Sequence, residues 1–194
     1  MAVQAAVRER REASRLPEGD VIRTLLEQHA RIRDLFAEAH TTDGERRQEM
    51  FEELRALLAV HETAEEMVLR PVTRRTAGDE IADARNQEED EATHVLRELE
   101  KMEVTSAAFD TKLAELEQAV GRHAEREEQE EFPAVRAACD EEKLLAMGER
   151  LRLAERFAPT RPHPSAAGSP VRQAVMGPFA SIVDRVKDAI GQSR

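Results

Sequence analysis

The chain has 194 residues, a formal net charge of −11 and 36% charged residues, and it contains no tryptophan or tyrosine. The negative charge argues against nucleic acid or an anionic membrane as its main partner. Eight glycines, eight prolines and the absence of an alternating β-branched run favour an all-α fold. The single cysteine, Cys139, excludes an internal disulfide and favours a cytoplasmic location. No stretch has the length of a transmembrane helix or the pattern of a signal peptide.

The first predicted helix follows an arginine-rich N-terminal arm, residues 1–17, for which a frayed helix and a disordered segment both stay open. Asp20 is predicted to cap a helix from about Val21 to His40. His29 lies within the apolar stripe of that helix, so we take it as a candidate metal ligand. His40 lies at the helix end and is expected at the surface.

The second predicted helix runs from about Glu45 to Arg70 and ends or kinks at Pro71. His61 and Glu65 are one turn apart on a face that is otherwise apolar. An imidazole and a carboxylate are costly to bury without a partner, which a metal ion would provide. A single pair of this kind more often meets water or another protein.

A second copy of the motif makes a metal site the better interpretation. His123 and Glu127 have the same spacing on the apolar face of a helix predicted from about Phe109 to Cys139. Ligands that project inward from facing helices are typical of metal sites in helical bundles. Pro133 is predicted to kink the last turns of this helix. Cys139 is expected to be a small buried or half-buried residue rather than a nucleophile.

Between the two helices that carry this motif, a further helix is predicted from about Glu80 to Glu103, and its pattern is different. At about 100° per residue its apolar residues form one arc, and His94 falls on the opposite, solvent-facing side. Glu88 and Glu89 flank the apolar arc, so both are candidate ligands.

The C-terminal part of the chain divides into three segments. We assign residues 18–140 to a bundle domain and 141–157 to an additional helix that begins at Asp140–Glu142. Residues 158–176 form a proline-rich linker, and 177–194 form a short amphipathic helix and tail. We expect that helix to dock on the bundle rather than on a membrane.

Six imidazole and carboxylate ligands exceed the four of a structural zinc and suit a pair of iron or manganese ions. The motifs resemble hemerythrin-like proteins of the HHE cation-binding family over about residues 20–140. The residues that carry the resemblance are Leu25–His29, His61–Glu65 with Leu69-Arg70-Pro71, and His123–Glu127 with Glu131-Phe132-Pro133. The resemblance implies an all-α, antiparallel four-helix bundle with extra C-terminal helices, built around a non-haem di-iron centre.

The resemblance also implies a role for each candidate ligand. Glu65 and Glu127 would bridge two iron ions, with manganese or zinc as alternative metals. His29 and His61 would bind one ion, and His123 would bind the other. Glu89 stands where the family usually has a histidine, and Arg85 stands one turn earlier, where oxygen carriers have another. Glu62 is a further candidate ligand, because the stretch is similar to the iron-sensing hemerythrin domain of an F-box protein.

The expected function depends on the ligand positions at which this chain has a carboxylate and the family usually has a histidine. Anionic ligands stabilise the higher oxidation state, so the resemblance implies peroxide or oxygen chemistry of a catalase or oxidase type, under oxidative stress, rather than reversible oxygen carriage. Arg85 would lie near the metals and offset the added charge or hydrogen-bond a bound peroxide. The alternatives are an iron, oxygen or redox sensor without turnover, and a bundle that binds a partner but no metal. The expected partners are oxygen and hydrogen peroxide, with a monomer or a homodimer.

Overall fold

The computed structural model describes residues 2–157, without the side chains of Ala2 and Phe157. The predicted linker and amphipathic helix, residues 158–194, lie outside the described residues. The helices are α1 (Ala2–Ala13), α2 (Val21–Thr41), α3 (Gly44–Val68), α4 (Arg70–Thr76), α5 (Asp79–Leu99), α6 (Ala107–Arg126), α7 (Phe132–Ala138) and α8 (Glu141–Phe157). A π-helical turn, Glu127–Glu131, joins α6 to α7. The described range contains no strand, which confirms the predicted all-α fold.

The long helices α2, α3, α5 and α6 form the bundle. Helix α2 packs on α3 and α5 packs on α6, and short connections make each pair antiparallel. Asp20 caps α2 as predicted, because its Oδ1 accepts hydrogen bonds from the backbone N–H groups of Ile22 at 2.7 Å and Arg23 at 3.4 Å. Ser106 caps α6 through the N–H of Phe109 at 3.1 Å.

Proline marks two changes of helix direction beside the bundle core. Helix α3 ends at Val68 and α4 begins at Arg70, with Pro71 in its first turn, which confirms the predicted break. Pro133 was predicted to kink the last turns of its helix, but the distortion comes earlier, as the π-helical turn Glu127–Glu131. The proline ring has no N–H and would clash with a carbonyl one turn back, so a wider turn ahead of it relieves the clash.

Two apolar clusters enclose the centre of the bundle. One contains Leu25, Leu69, Phe132 and Leu151, and the other contains Phe36, Leu54, Leu96, Phe109 and Leu113. On α2, α3 and α6 the predicted ligands fall between the residues of these clusters. The polar groups there are therefore shielded from water by packing on both sides along the bundle axis.

Helices α1 and α8, the first and last helices of the described range, add to this core. The N-terminal arm, left open as frayed helix or disordered segment, forms α1 and packs on α2 through small residues such as Ala6 and Ala13. Helix α8 packs on α2 and α3. Its Gly148 permits a close approach, because a Cβ there would lie 1.9 Å from the carbonyl oxygen of Gly19. The predicted additional helix therefore shares the bundle core.

Two further expectations concern single features of the sequence. Cys139 is a free, buried cysteine, in keeping with the structural role predicted for it. Among residues 2–157, no helix combines the length and apolar character needed to cross a bilayer.

Candidate metal centre

The structure brings six of the named candidate ligands together at the centre of the bundle. They form two overlapping groups in which the ligand atoms lie within 4.8 Å of one another: His29, His61, Glu65 and Glu127 in the first, and Glu65, Glu89, His123 and Glu127 in the second. Their side chains are at most 10% exposed. Glu65 and Glu127 belong to both groups, which is the arrangement that two bridging carboxylates require.

Several inward-facing atoms of these groups lack a hydrogen-bond partner. They are Nε2 of His29 and His123, both carboxylate oxygens of Glu65, and Oε2 of Glu127. Nε2 of His29 lies 3.3 Å from Oε2 of Glu127, and Nε2 of His61 lies 3.5 Å from Oε2 of Glu65. A buried polar atom without a partner is costly, and such atoms are rare in native proteins. Metal ions bound here would satisfy these atoms together, so the residues fit a two-ion centre of mixed imidazole and carboxylate ligation.

Each ligand histidine is oriented through its other ring nitrogen. The Nδ1 atoms donate to side-chain oxygens of the neighbouring helices: His29 to Glu128 at 3.0 Å, His61 to Gln28 at 2.6 Å and His123 to Glu88 at 3.0 Å. A proton held on Nδ1 turns Nε2 toward the centre, and Nε2 is the atom that a metal ion would bind. The three rings are thus held in the orientation that metal ligation needs.

Helices α1 and α8 reach these outer groups. Gln28 donates its amide N–H to Glu155 of α8, and Arg8 of α1 pairs with Glu128 at 3.3 Å. Glu9 of α1 is fully buried, and Nε of Arg33 donates to it at 2.5 Å. Helices α1 and α8 therefore both support the orientation of ligand side chains.

Arg85 was expected to lie near the metals and to offset the added charge or hydrogen-bond a bound peroxide. The structure places its guanidinium against Glu88 at 3.2 Å and Glu130 at 3.7 Å. Glu88 is the residue that orients His123. Arg85 therefore contacts a group beside the ligands rather than the two ligand groups themselves.

Arg70 is the buried cation of the centre, at 2% exposure. Its Nη1 donates to Oε2 of Glu131 at 2.5 Å, and its Nη2 donates to Glu89 and, at 3.2 Å, to Oε1 of Glu127. Nη2 also lies 3.9 Å from Oε2 of Glu65. One guanidinium thus contacts or approaches four buried carboxylates. Arg70 belongs to the motif Leu69-Arg70-Pro71, and no role was predicted for its side chain.

The electrostatics of the centre follow from burial and from these pairs. Burial alone would lower the pKa of His29, but Glu127 and Glu128 outweigh it and raise this pKa to about 9. Burial, with the charge of His29, lowers the pKa of His61 to about 3. Burial raises the pKa of Glu89 to about 7, although Arg70 and His123 oppose the shift. The ligand set therefore holds protons that a metal ion would displace.

Glu62 and His94 lie outside both ligand groups. The carboxylate of Glu62 accepts a hydrogen bond from Oγ1 of Thr93 at 3.0 Å, and burial together with Glu89 raises its pKa to about 8. His94 is 65% exposed, and its Nδ1 donates to the backbone carbonyl of Asp90 at 2.7 Å. The predicted solvent exposure of His94 is confirmed.

A pocket that is partly open to solvent reaches the ligand histidines from one side. Its walls are mostly apolar and come from Ile32, Phe36, Leu58, Ala92, Val120 and Ala124, with Arg33, Glu117 and Gly121 beside them. Glu62, Glu89 and the three ligand histidines line its inner part. Arg70 and Glu131 lie about one helical turn beyond the shared carboxylates Glu65 and Glu127 and do not line this pocket. Small molecules can therefore approach the centre from the histidine side.

The orienting role of the outer groups was not predicted: Glu88 was a candidate ligand but lies outside both ligand groups, and Gln28 and Glu128 were given no role. Gln28, Glu88 and Glu128 each stand next to a candidate ligand in the sequence. A neighbouring position is about 100° further around a helix, so its side chain faces the adjacent helix rather than the centre. Polar residues beside His29, Glu89 and Glu127 could have been read as the groups that orient the histidines.

Comparisons with known proteins agree with this geometry. The family model described as hemerythrin HHE cation binding domain matches residues 20–135. An uncharacterised hemerythrin-like protein of Schizosaccharomyces pombe is 30% identical over 134 residues, which cover 68% of this chain and 66% of that protein. The chain thus spans slightly less than two thirds of that relative.

A crystal structure of a hemerythrin HHE cation binding domain-containing protein from Mycobacterium kansasii has the same fold. The TM-score is 0.65, and the match covers 85% of this chain and 98% of that one. The identity of 19% supports a common fold and no finer similarity. Because the family model covers more than half of the sequence, the chain belongs to the hemerythrin HHE cation-binding domain family.

Proposed function

We propose that the chain binds a pair of non-haem iron ions and consumes hydrogen peroxide or oxygen with them. The observation that carries the proposal is the set of unpartnered buried donor atoms beside a pocket that opens to solvent. An ion with a purely structural role needs no such opening. One ion would be held by His29, His61, Glu65 and Glu127, and the other by Glu65, Glu89, His123 and Glu127.

When bound, the iron pair would supply redox capacity and Lewis acidity for the disproportionation of peroxide, in which one hydrogen peroxide is reduced to two waters and a second returns the two electrons and two protons as it is oxidised to oxygen. Glu89 adds an anionic ligand, which favours the higher oxidation state and therefore turnover over reversible oxygen carriage. Phe36, Leu58 and Val120 line the approach and favour small neutral molecules over charged solutes. Glu62, held by Thr93 at the pocket wall, is placed to exchange a proton with a molecule bound there.

Peroxide turnover by the iron-loaded protein tests the proposal. Apo-protein would be loaded anaerobically with Fe²⁺, and the loss of hydrogen peroxide and the release of oxygen would be followed together. We expect turnover by the wild type and by His94→Ala, whose side chain is exposed, and loss of turnover in His61→Ala. Iron-loaded wild-type protein without turnover would contradict the proposal.

A second candidate function, a metal-dependent sensor, is favoured by the contacts that α1 and α8 make with the groups around the centre. Glu155 of α8 supports His61 through Gln28, and Arg8 of α1 pairs with Glu128, which orients His29. Loading of the centre would therefore stabilise helices that lie outside the matched domain. A large rise in melting temperature on metal binding, without peroxide turnover, would favour this function over the first.

A further inference from the structure

The guanidinium of Arg70 stands among the carboxylates of the second ligand group. Its Nη2 donates to Glu89 and to Oε1 of Glu127, and it lies 3.9 Å from Oε2 of Glu65. These are all the carboxylates of that group, whose remaining member is His123. A metal ion in the second group would bind the same carboxylate oxygens. The distance from the ion to these oxygens would be shorter than the distance between the two heavy atoms of a hydrogen bond.

The first ligand group differs from the second in this respect. Nε2 of His29, the oxygens of Glu65 and Oε2 of Glu127 have no hydrogen-bond partner. An ion in the first group therefore meets both oxygens of Glu65 and Oε2 of Glu127 without a hydrogen bond, and it needs no atom of Glu89. Arg70 also contacts or approaches Glu65 and Glu127, which both groups share, but the second group alone contains Glu89, to which Nη2 donates.

We infer that Arg70 holds the second metal position until an ion displaces its Nη2, so that the two ions bind in sequence and with unequal affinity. The inference rests on the proposed two-ion function and adds a regulated order of loading to it. The second ion must break the charge-assisted bond between Nη2 and Glu89, and it is also repelled by the nearby guanidinium.

A guanidinium displaced from Glu89 can stay bound to Glu131. Its Nη1 donates to Oε2 of Glu131 at 2.5 Å, and Glu131 is fully buried and also accepts a hydrogen bond from Thr73. Arg70 can therefore turn Nη2 away from Glu89 while Nη1 stays bound to Glu131. The ion pair with Glu131 anchors the guanidinium, and the contact with Glu89 is the one that opens.

Arg70 also explains how the bundle folds before it receives metal. Glu65, Glu89 and Glu127 lie within reach of one another, and buried like charges destabilise a fold. Arg70 is the guanidinium that touches this group, so it takes part of the neutralising role that the second ion has later. Its removal should destabilise the metal-free protein and favour the second ion at the same time. A merely structural residue would produce only the first effect.

Titration with Mn²⁺ tests the inference. Binding would be measured by calorimetry, and electron paramagnetic resonance would distinguish isolated Mn²⁺ ions from coupled pairs. The wild type would be compared with Arg70→Gln, with Arg70→Met, which fills similar volume without the charge, and with Arg74→Gln. Arg74 is the matched control, because it lies on the same helix and, within residues 2–157, pairs with Asp79 and Asp83 at the surface.

For the wild type we expect an isolated Mn²⁺ signal first and a coupled pair only at higher concentration, with the second ion at least about tenfold weaker. In both Arg70 variants the second ion should bind about 10–100-fold more tightly, which is the strength of one charged hydrogen bond. The metal-free variants should melt at lower temperature than the wild type, and Arg74→Gln should match the wild type in every readout.

If the wild type binds both ions in one step, with equal affinity, the inference is overturned. This result needs the wild type alone, so it decides the point even if the Arg70 variants do not fold. Equal weakening of both steps in the Arg70 variants would overturn it as well. Either result leaves the two-ion function standing. A wild type that binds no Mn²⁺ and no Fe²⁺ would instead overturn the proposed function, and the inference with it.

Discussion

Arg70 and Glu131 form an ion pair in which Nη1 lies 2.5 Å from Oε2, and neither side chain is more than 2% exposed. Each residue lies about one turn beyond Glu65 or Glu127, the two carboxylates that both ligand groups share, and just ahead of a proline, Pro71 or Pro133. The pair therefore connects the two helix breaks and closes the centre on the side away from the pocket.

The first prediction concerns this closure. Glu131→Ala should lower the free energy of unfolding by about 3–5 kcal/mol, because it leaves a buried guanidinium without its main anchor. Glu130→Ala is the control, since the side chain of Glu130 is half-exposed, and it should change stability by less than about 0.5 kcal/mol. Urea denaturation of both metal-free variants measures the difference. Equal stability of the two would show that the pair contributes little.

The second prediction concerns the support of His61 by α8. Glu155→Ala should weaken metal binding by about 10–100-fold, because Gln28 loses the partner that fixes its amide toward His61. Glu149→Ala, on an exposed position of the same helix, should leave the affinity unchanged. Competition with a metal chelator gives both affinities. The role assigned to α8 is wrong if Glu155→Ala binds metal as the wild type does.

The third prediction separates the histidines. His61→Ala and His123→Ala should each lower the metal content, whereas His94→Ala should retain it, because its ring lies in solvent. Metal analysis of the three purified variants decides the point. A loss in His94→Ala as large as that in His123→Ala would contradict the orientation of α5.

The fourth prediction concerns pH. The pKa of His29 is raised to about 9 and that of Glu62 to about 8, so the folded protein holds these protons more tightly than the unfolded chain does. The stability of the metal-free form should therefore fall as the pH rises from about 7 to about 9, by on the order of 2 kcal/mol for His29 alone. The lowered pKa of His61, about 3, acts in the opposite direction only at lower pH.

Metal should reverse this trend, because the ion displaces the same protons and binds more tightly as they are lost. The stabilisation by added Mn²⁺ should thus increase between about pH 7 and about pH 9. Melting curves with and without Mn²⁺ across this range measure both effects. A metal-free form whose stability rises with pH would contradict the protonation described for the centre.

Much of this architecture could be predicted from local patterns. The apolar period of 3.6 residues located the bundle helices, and the repeated spacing of His61 with Glu65 and His123 with Glu127 indicated the centre. The helical wheel of α5 predicted that His94 faces solvent, and the structure confirms this. These features depend on geometry within one helix, which the sequence specifies directly.

The remaining features depend on contacts between distant segments. Arg70 reaches the centre because the chain changes direction at Pro71 and brings α4 beneath Glu89, 19 residues further along the chain. Arg85 looked closer to the ligands on its own helix, but its guanidinium contacts Glu88. The π-helical turn likewise responds to packing around Pro133, and α1 is ordered by burial against α2. A periodic pattern contains no information about such pairings.

The metal content of the protein purified from its own cells tests the central claim most directly. Two donor groups that share Glu65 and Glu127 predict about two metal ions per chain, with iron as the metal. X-ray absorption should then show ligation by nitrogen and oxygen. A reproducible single zinc ion with tetrahedral ligation, or protein without stoichiometric metal, would contradict the account.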